Sequence, residues 1–286
     1  MKSKANLYCV GSLLVLSLNA CSSNTAMNNK TSVNDIYETT SNSHVVNETR
    51  MVSSFSAIEV STGVDVTYYP TTEKPYIEVN VDAKNIKNLK TEVINGKLNI
   101  YFKKGENIKT NGKAMVVVHG PVVKSIEVEA GAILKIEGAM AVKGTFDIEA
   151  NSDGSIQINK DITIDGNLDL EASSAGSIRW NNKVSASEAN IDVSSAANVK
   201  GSTLVIKNKT NLDVSSASKC NISNLTTSSL FIDASSSATA TFGGGKTNQI
   251  TIDASSGARV DVSQITNKGN IIVDKSSGAR VNTPEQ

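Results

Sequence analysis

Leu170-Glu171-Ala172-Ser173-Ser174, Ile191-Asp192-Val193-Ser194-Ser195 and Leu212-Asp213-Val214-Ser215-Ser216 are copies of one pentad, and they decide the fold. The pattern continues as Ile232-Asp233-Ala234-Ser235-Ser236, Ile252-Asp253-Ala254-Ser255-Ser256 and Val273-Asp274-Lys275-Ser276-Ser277. Upstream it reads Ile148-Glu149-Ala150-Asn151-Ser152 and, more loosely, Val128-Glu129-Ala130. The acid thus recurs at 129, 149, 171, 192, 213, 233, 253 and 274, in steps of 20, 22, 21, 21, 20, 20 and 21 residues. A fixed period near 21 over eight copies is the signature of a solenoid.

The residues inside each copy select the kind of solenoid. Leu168, Leu170 and Ala172 alternate with Asp169 and Glu171, which is strand periodicity. Seven residues past each acid the chain is again apolar or small: Ile136, Ile156, Ile178, Val199, Cys220, Ala240, Val260 and Val281. No copy holds an apolar pattern of 3.6 period long enough for a helix. The repeat length suits three short strands and three turns, one coil of a parallel β-helix, with the Ser-Ser-Ala/Gly piece as a tight corner. Coils about 4.8 Å apart would spread eight aligned positions over roughly 34 Å. Inward residues then stack on copies of themselves, which favours β-branched side chains and fits a chain with only 4% aromatics. Cys220 and Trp180 fall at inward positions, Trp180 where Ile158, Ile222 and Val262 lie in other coils, and both are read as core.

Residues 51–125 are strand-rich but irregular. Ala57-Ile58-Glu59-Val60, Val64-Asp65-Val66-Thr67-Tyr68 and Tyr76-Ile77-Glu78-Val79-Asn80-Val81 alternate, and Asn95-Gly96 joins two further strands as a hairpin signal. The aromatics here (Phe55, Tyr68, Tyr69, Tyr76, Tyr101, Phe102) are expected to cap the solenoid, because a bare end exposes core and unpaired edges.

The order of these pieces resembles one bacterial family: an Ile-x-Val strand, Gly63-Val64-Asp65-Val66, Tyr68-Tyr69-Pro70, Ile77-Glu78-Val79-Asn80-Val81-Asp82, Asn95-Gly96-Lys97-Leu98-Asn99-Ile100, then repeated Ser-Ser-Ala/Gly coils. The family is described as "putative auto-transporter adhesin, head GIN domain", and the resemblance runs from Met51 to Val281. It implies an all-β, right-handed parallel β-helix and an adhesin-like role. With only residues 282–286 after Val281, no C-terminal membrane barrel is expected.

The first residues carry a different message. Lys2 and Lys4 precede an apolar run from Leu7 to Leu18, which ends in Leu18-Asn19-Ala20-Cys21. A basic start, a short apolar segment and small residues at the cut make a secretory signal; the run falls short of the roughly 20 apolar residues a spanning helix needs. The Leu-x-Ala-Cys tetrad resembles the lipobox of bacterial lipoproteins, which implies cleavage after residue 20, diacylglyceryl and palmitate on Cys21, and membrane anchoring through the acyl chains. Ser22, in place of Asp, points to the outer membrane, on either its periplasmic or its surface side. Residues 21–50 are rich in Ser, Thr and Asn and are expected to form a disordered tether. The expected organisation is thus a signal peptide over 1–20, a tether over 21–50 and a head over 51–286, irregular to 125 and regularly coiled from 126.

Net charge is zero, with 28 basic and 28 acidic residues, and no basic stripe points to nucleic acid. Of three cysteines, Cys9 leaves with the signal and Cys21 carries lipid, so Cys220 has no disulfide partner. The aligned acids form a carboxylate ladder. At about 4.8 Å in water each neighbouring pair repels by about 0.9 kcal/mol. Hydroxyls and amides of the corner, together with Lys135, Lys219, Arg259 and Arg280 six residues on, are the expected compensation. A row of Ca²⁺ along Glu149, Glu171, Asp192, Asp213, Asp233, Asp253 and Asp274 is the alternative, although the Gly-rich calcium repeat is absent. His44 and His119 are the only histidines, the acids are spread evenly, and Gly243-Gly244-Gly245-Lys246 lacks phosphate-loop spacing. No catalytic residue and no cofactor is therefore expected. The reading is a lipid-anchored envelope module that binds a glycan or protein, with homo-oligomers compatible. A ligand-free envelope scaffold is the alternative, and a polysaccharide-active enzyme comes third.

Overall fold

The computed structural model describes residues 45–103 and 114–285, all of them strands, turns and connecting segments. The leader, Cys21, His44 and most of the expected tether lie outside the described residues. Asn167–Ala172 opens a representative coil, with Leu168, Leu170 and Ala172 buried and Asp169 and Glu171 facing out. Ser173 to Gly176 then turn the chain, and the Gly176 N–H donates to the Ser173 carbonyl at 2.8 Å. The two central residues, Ser174 and Ala175, sit at φ 49° and 64°, which is the type I′ geometry. Ser177–Ala186 follows, and a register shift between Trp180 and Lys183 marks where it bends from the second face onto the third.

Stacking this unit gives a β-solenoid of about 8 turns, the expected fold. Face one is an 11-stranded sheet, and faces two and three share a 16-stranded sheet. The third strand of the expected coil is therefore present but joined to the second, because the bend keeps the strand pairing on both sides of it.

The corners explain the Ser-Ser signature. A non-glycine residue in the left-handed region costs about 1–2 kcal/mol. Stacking offsets this, since each corner amide bonds the next corner: Ala175 to Ser195 at 3.0 Å, Ala196 to Ser216 at 3.0 Å, Ala217 to Ser236 at 2.9 Å. Gly176 is needed for another reason. A Cβ there would lie 1.9 Å from the Ala150 carbonyl oxygen. Size is also traded between coils: Trp180 is buried over Gly201, where a Cβ would lie 2.0 Å from the indole, and its Nε1 donates to the Thr203 carbonyl at 3.1 Å. Trp180 and Cys220 are core residues, as read from the repeat.

The N-terminal part is built out of chain order. Its strands are β1 (Val45–Met51), β2 (Ala57–Val60), β3 (Asp65–Pro70), β4 (Tyr76–Asp82), β5 (Leu89–Ile94), β6 (Lys97–Phe102), β7 (Met115–Gly120), β8 (Ser125–Val128) and β9 (Ile133–Ile136). On face one β2 lies between β6 and β8, and on face two β3 lies between β7 and β9. The chain thus lays down one coil, β2 and β3, travels to one side of it to build β4 to β7, and returns to the other side with β8 and β9. Antiparallel β5 and β4 flank this end, where the hairpin at Asn95-Gly96 has φ 51° and 77°. Phe55, Tyr68 and Phe102 close the core, while Tyr69 is exposed and Tyr76 and Tyr101 are half-buried, so only part of the expected aromatic cap is internal.

Two expectations are corrected. The tether cannot run to residue 50, because β1 pairs antiparallel with β4 from Val45–Asp82 to Met51–Tyr76. Backbone pairing and the Arg50 guanidinium, which donates to the Ile86 and Leu89 carbonyls at 3.3 and 2.9 Å, hold a segment with little apolar burial. The first repeat is also two residues out of register: Glu127, not Glu129, pairs with Glu149. Glu129 instead opens the corner through Ala130 and Gly131, as its carbonyl accepts the Ala132 N–H at 3.1 Å.

Candidate functional site

Alternation sends every second side chain of face one outward, and parallel in-register pairing aligns those side chains across coils. One outward row runs Glu59, Glu127, Glu149, Glu171, Asp192, Asp213, Asp233, Asp253, Asp274. The seven residues considered for calcium all lie on it. A second row, two residues earlier, holds Asp147, Asp169, Asn190 and Asn211. Between the rows lies a shallow groove of about 500 Å³. The asparagines bridge along it: Asn211 Nδ2 donates to Asn190 Oδ1 at 2.8 Å, and Asn190 Nδ2 to Asp169 Oδ1 at 2.7 Å.

The ladder is compensated at one end only. Lys97 donates to Glu59 at 2.8 Å and Glu127 at 3.0 Å, and the Glu59 hydrogen bond is the main reason its amine is held above the usual lysine value. At Glu149 the partner is the Asn151 amide, whose oxygen accepts from Ser173 Oγ at 2.5 Å. Four other carboxylates of face one are shifted against their charged form. Desolvation, and then their neighbours' charges, raise Asp147, Glu171, Asp213 and Asp233 above the ordinary carboxylate range.

The expected counter-charges sit elsewhere. Lys135, Lys219, Arg259 and Arg280 lie past the corner on face two, and among the described residues none of them is within ion-pair distance of a ladder acid. With Arg179 and Lys200 they form an exposed basic strip. Lys135, Arg179 and Lys200 are aligned by strand register on one row, and Lys219, Arg259 and Arg280 on the row nearer the corner.

The faces are therefore segregated by charge. From Ser125–Val128 to Ile271–Lys275, face one carries eleven acids and two bases, a net of −9. Over the same coils face two, counted up to the bend that puts Lys183 on face three, carries six bases and one acid, a net of +5. The one acid, Asp261, is held below the usual range chiefly by the Ser263 hydroxyl at 2.7 Å, then by the Ser263 N–H and Asn282. Sequence reading missed this segregation, together with Lys97, Glu59 and Glu127. Its signal was present as basic residues six or eight positions past the ladder acid.

Among the described residues no three His, Cys, Asp or Glu side chains converge so as to hold a metal ion. His119 stacks on Tyr76 at 4.4 Å and Tyr69 at 5.3 Å, with Nε2 3.9 Å from Glu78. Gly243 and Gly244 lead through a bend into the strand Gly245–Thr247, and a Cβ on Gly245 would lie 1.7 Å from the Leu225 carbonyl oxygen. Lys246 and its neighbours Lys207 and Lys268 line a groove of about 580 Å³ at the corner between faces three and one.

Known structures share this architecture. A "putative adhesin" from Parabacteroides merdae superposes with a TM-score of 0.74 at 14% identity, over 85% of this chain and 98% of its own. A second, from Parabacteroides distasonis, gives 0.68 at 17% identity over 84% and 98%. A "putative lipid binding protein" from the same species gives 0.61 at 13% identity over 85% and 98%. No curated protein matches the chain at a significant level. The model of the family resembled in sequence covers residues 54–242, from the first coil to the strand Thr239–Phe242, and the chain belongs to the "putative auto-transporter adhesin, head GIN domain" family.

Proposed function

We propose that this chain is a non-catalytic binding module of the bacterial cell envelope, anchored to the outer membrane by lipid on Cys21. The observation that carries the reading is the distribution of its polar groups. They stand one per coil along straight rows on a stacked scaffold, charged by face, and they do not gather at one point. Catalysis needs an acid, a base or a nucleophile brought together within hydrogen-bond reach of one reacting atom. A row of equivalent groups instead suits many shallow contacts with an extended glycan or protein, each weak and together strong. Membership of an adhesin-named family supports this reading.

The test has two arms. Cells expressing the tagged chain are fed labelled palmitate, with Cys21→Ser as control; label on the wild type alone is expected. Intact cells are then shaved with protease beside a lysed control. Digestion on intact cells, with saturable capture of a glycan or protein by the purified chain, is the expected result. Protection until lysis with no saturable ligand would overturn the binding reading in favour of an internal scaffold.

A further inference from the structure

The uncompensated ladder raises a physical question. Beyond Lys97 and Asn151, six coils of carboxylate, Glu171 to Asp274, face solvent one strand spacing apart, while the basic strip is turned away on the neighbouring face. Both strips run parallel to the solenoid axis on the same coil spacing, about 4.8 Å; every coil adds an acid, and six of eight add a base, the exceptions holding Ser155 with Gln157 and Thr239 with Thr241. The acids lie on one straight row. The bases cross from one row, at Lys135, Arg179 and Lys200, to the next, at Lys219, Arg259 and Arg280. Their long side chains can span that offset, and arginine's planar fork matches a carboxylate in two-point contact.

We propose that face two of one copy docks on face one of a second copy, so that the basic strip neutralises the ladder laterally. Charge complementarity with a shared period is the first argument. It explains how a chain of zero net charge can leave −9 on one face and +5 on the next. The area is the second. Seven coil steps span about 34 Å, and four to five outward-and-inward residues of strand span about 15 Å, or roughly 500 Å² per copy and 1,000 Å² in all. That is the lower limit for a specific contact, in the range of weak and transient pairs. Because the two faces differ, the contact is heterologous, and the pair keeps one free face of each kind to add another copy.

Sedimentation velocity of the purified protein tests this at about 0.01 M and about 1 M salt, where the Debye length is about 30 Å and about 3 Å. Mass that grows with protein concentration at low salt and returns to the monomer at high salt is expected. Asp192→Lys with Asp213→Lys, and separately Arg179→Glu with Lys200→Glu, should each weaken association at least tenfold. All four together leave the net charge unchanged but reduce the faces to −5 and +1, so association should be weakest of all and a net-charge effect is excluded. Far-UV circular dichroism checks that each variant is folded. A monomer at every concentration in low salt overturns the proposal without reference to any variant. So does a folded four-fold variant that associates as tightly as the wild type. Association that survives about 1 M salt also overturns it, and assigns the contact to the other unpaired surface, the last coil with exposed Ile272 and Val273.

Discussion

Replacing Asp213 with asparagine should make the isolated protein more stable, which is unusual for removal of a charge that alternates with a buried core. Asp213 pairs in register with Asp192 on one side and Asp233 on the other. At about 4.8 Å each pair repels by about 0.9 kcal/mol in water, so two neighbours contribute about 1.7 kcal/mol before screening. At physiological salt a Debye length of about 8 Å reduces this to about 1 kcal/mol, and at about 1 M salt to about 0.3 kcal/mol. Asparagine keeps the shape and removes only the charge. The assay is urea unfolding of wild type and Asp213→Asn at neutral pH and two salt concentrations. A midpoint raised in the variant, with the gain shrinking in salt, is expected.

The same reasoning fixes a pH dependence. Desolvation first, and Asp192 second, hold Asp213 above its ordinary value of 3.8, as desolvation and neighbours do for Glu171 and Asp233. A carboxyl raised in the folded state takes up its proton there before the unfolded chain does. The penalty is therefore present in full above the folded value and is relieved as pH falls through it toward 3.8. Wild-type stability should rise on acidification from neutral toward that window, and the rise should be smaller in Asp213→Asn. Asp261, lowered by Ser263, acts the other way and gives up its contribution below 3.8. A destabilised Asp213→Asn would refute the repulsion account. So would a wild-type midpoint that a chelator lowers while leaving the variant's untouched, which would place a bound cation on the ladder.

Three further outcomes follow from packing. Gly176→Ala drives a Cβ to 1.9 Å from the Ala150 carbonyl oxygen and is expected to lower stability by at least about 2 kcal/mol, whereas Gly63→Ala meets nothing within 4 Å and should cost only the left-handed strain, about 1 kcal/mol; urea midpoints separate them. Gly201→Ala should be strongly destabilising beside Trp180 and much less so in a Trp180→Ile background, with a coupling of about 1–3 kcal/mol in the double-mutant cycle. Burial pushes the Cys220 thiol up to about 12, so thiol reagents at mildly alkaline pH should label the folded protein only as fast as it opens; rapid labelling of folded protein would show that Cys220 is not enclosed.

The regular half was legible because a solenoid writes its structure in the sequence once per coil. Alternation named the buried residues, the period named the stacking, and Ser-Ser-Ala/Gly named the corner. The small residues there also reflect the backbone, since Ser174 and Ala175 both occupy the left-handed region. The register failed where the pattern admitted two alignments. Glu127 and Glu129 flank Val128, and only the corner at Ala130-Gly131 decides that Glu127 joins the ladder. β1 was illegible for a different reason. It is held by backbone pairing and Arg50 rather than by apolar burial, and composition reports only burial.

Charge segregation was hidden because compensation was sought along the chain. Lys219 lies six residues past Asp213 and looks like its partner in one dimension, but the corner between them turns the lysine onto another face. Once the corner is fixed at two left-handed residues, no side chain beyond it can reach back without reversing the turn. A repeat that places an acid before each corner and bases after it cannot neutralise itself within a coil. It can only build faces of opposite sign, and the longer the solenoid grows the larger both become. The repeat that specifies the fold therefore also specifies the surface, and any function carried by these faces is read along the axis rather than at a point.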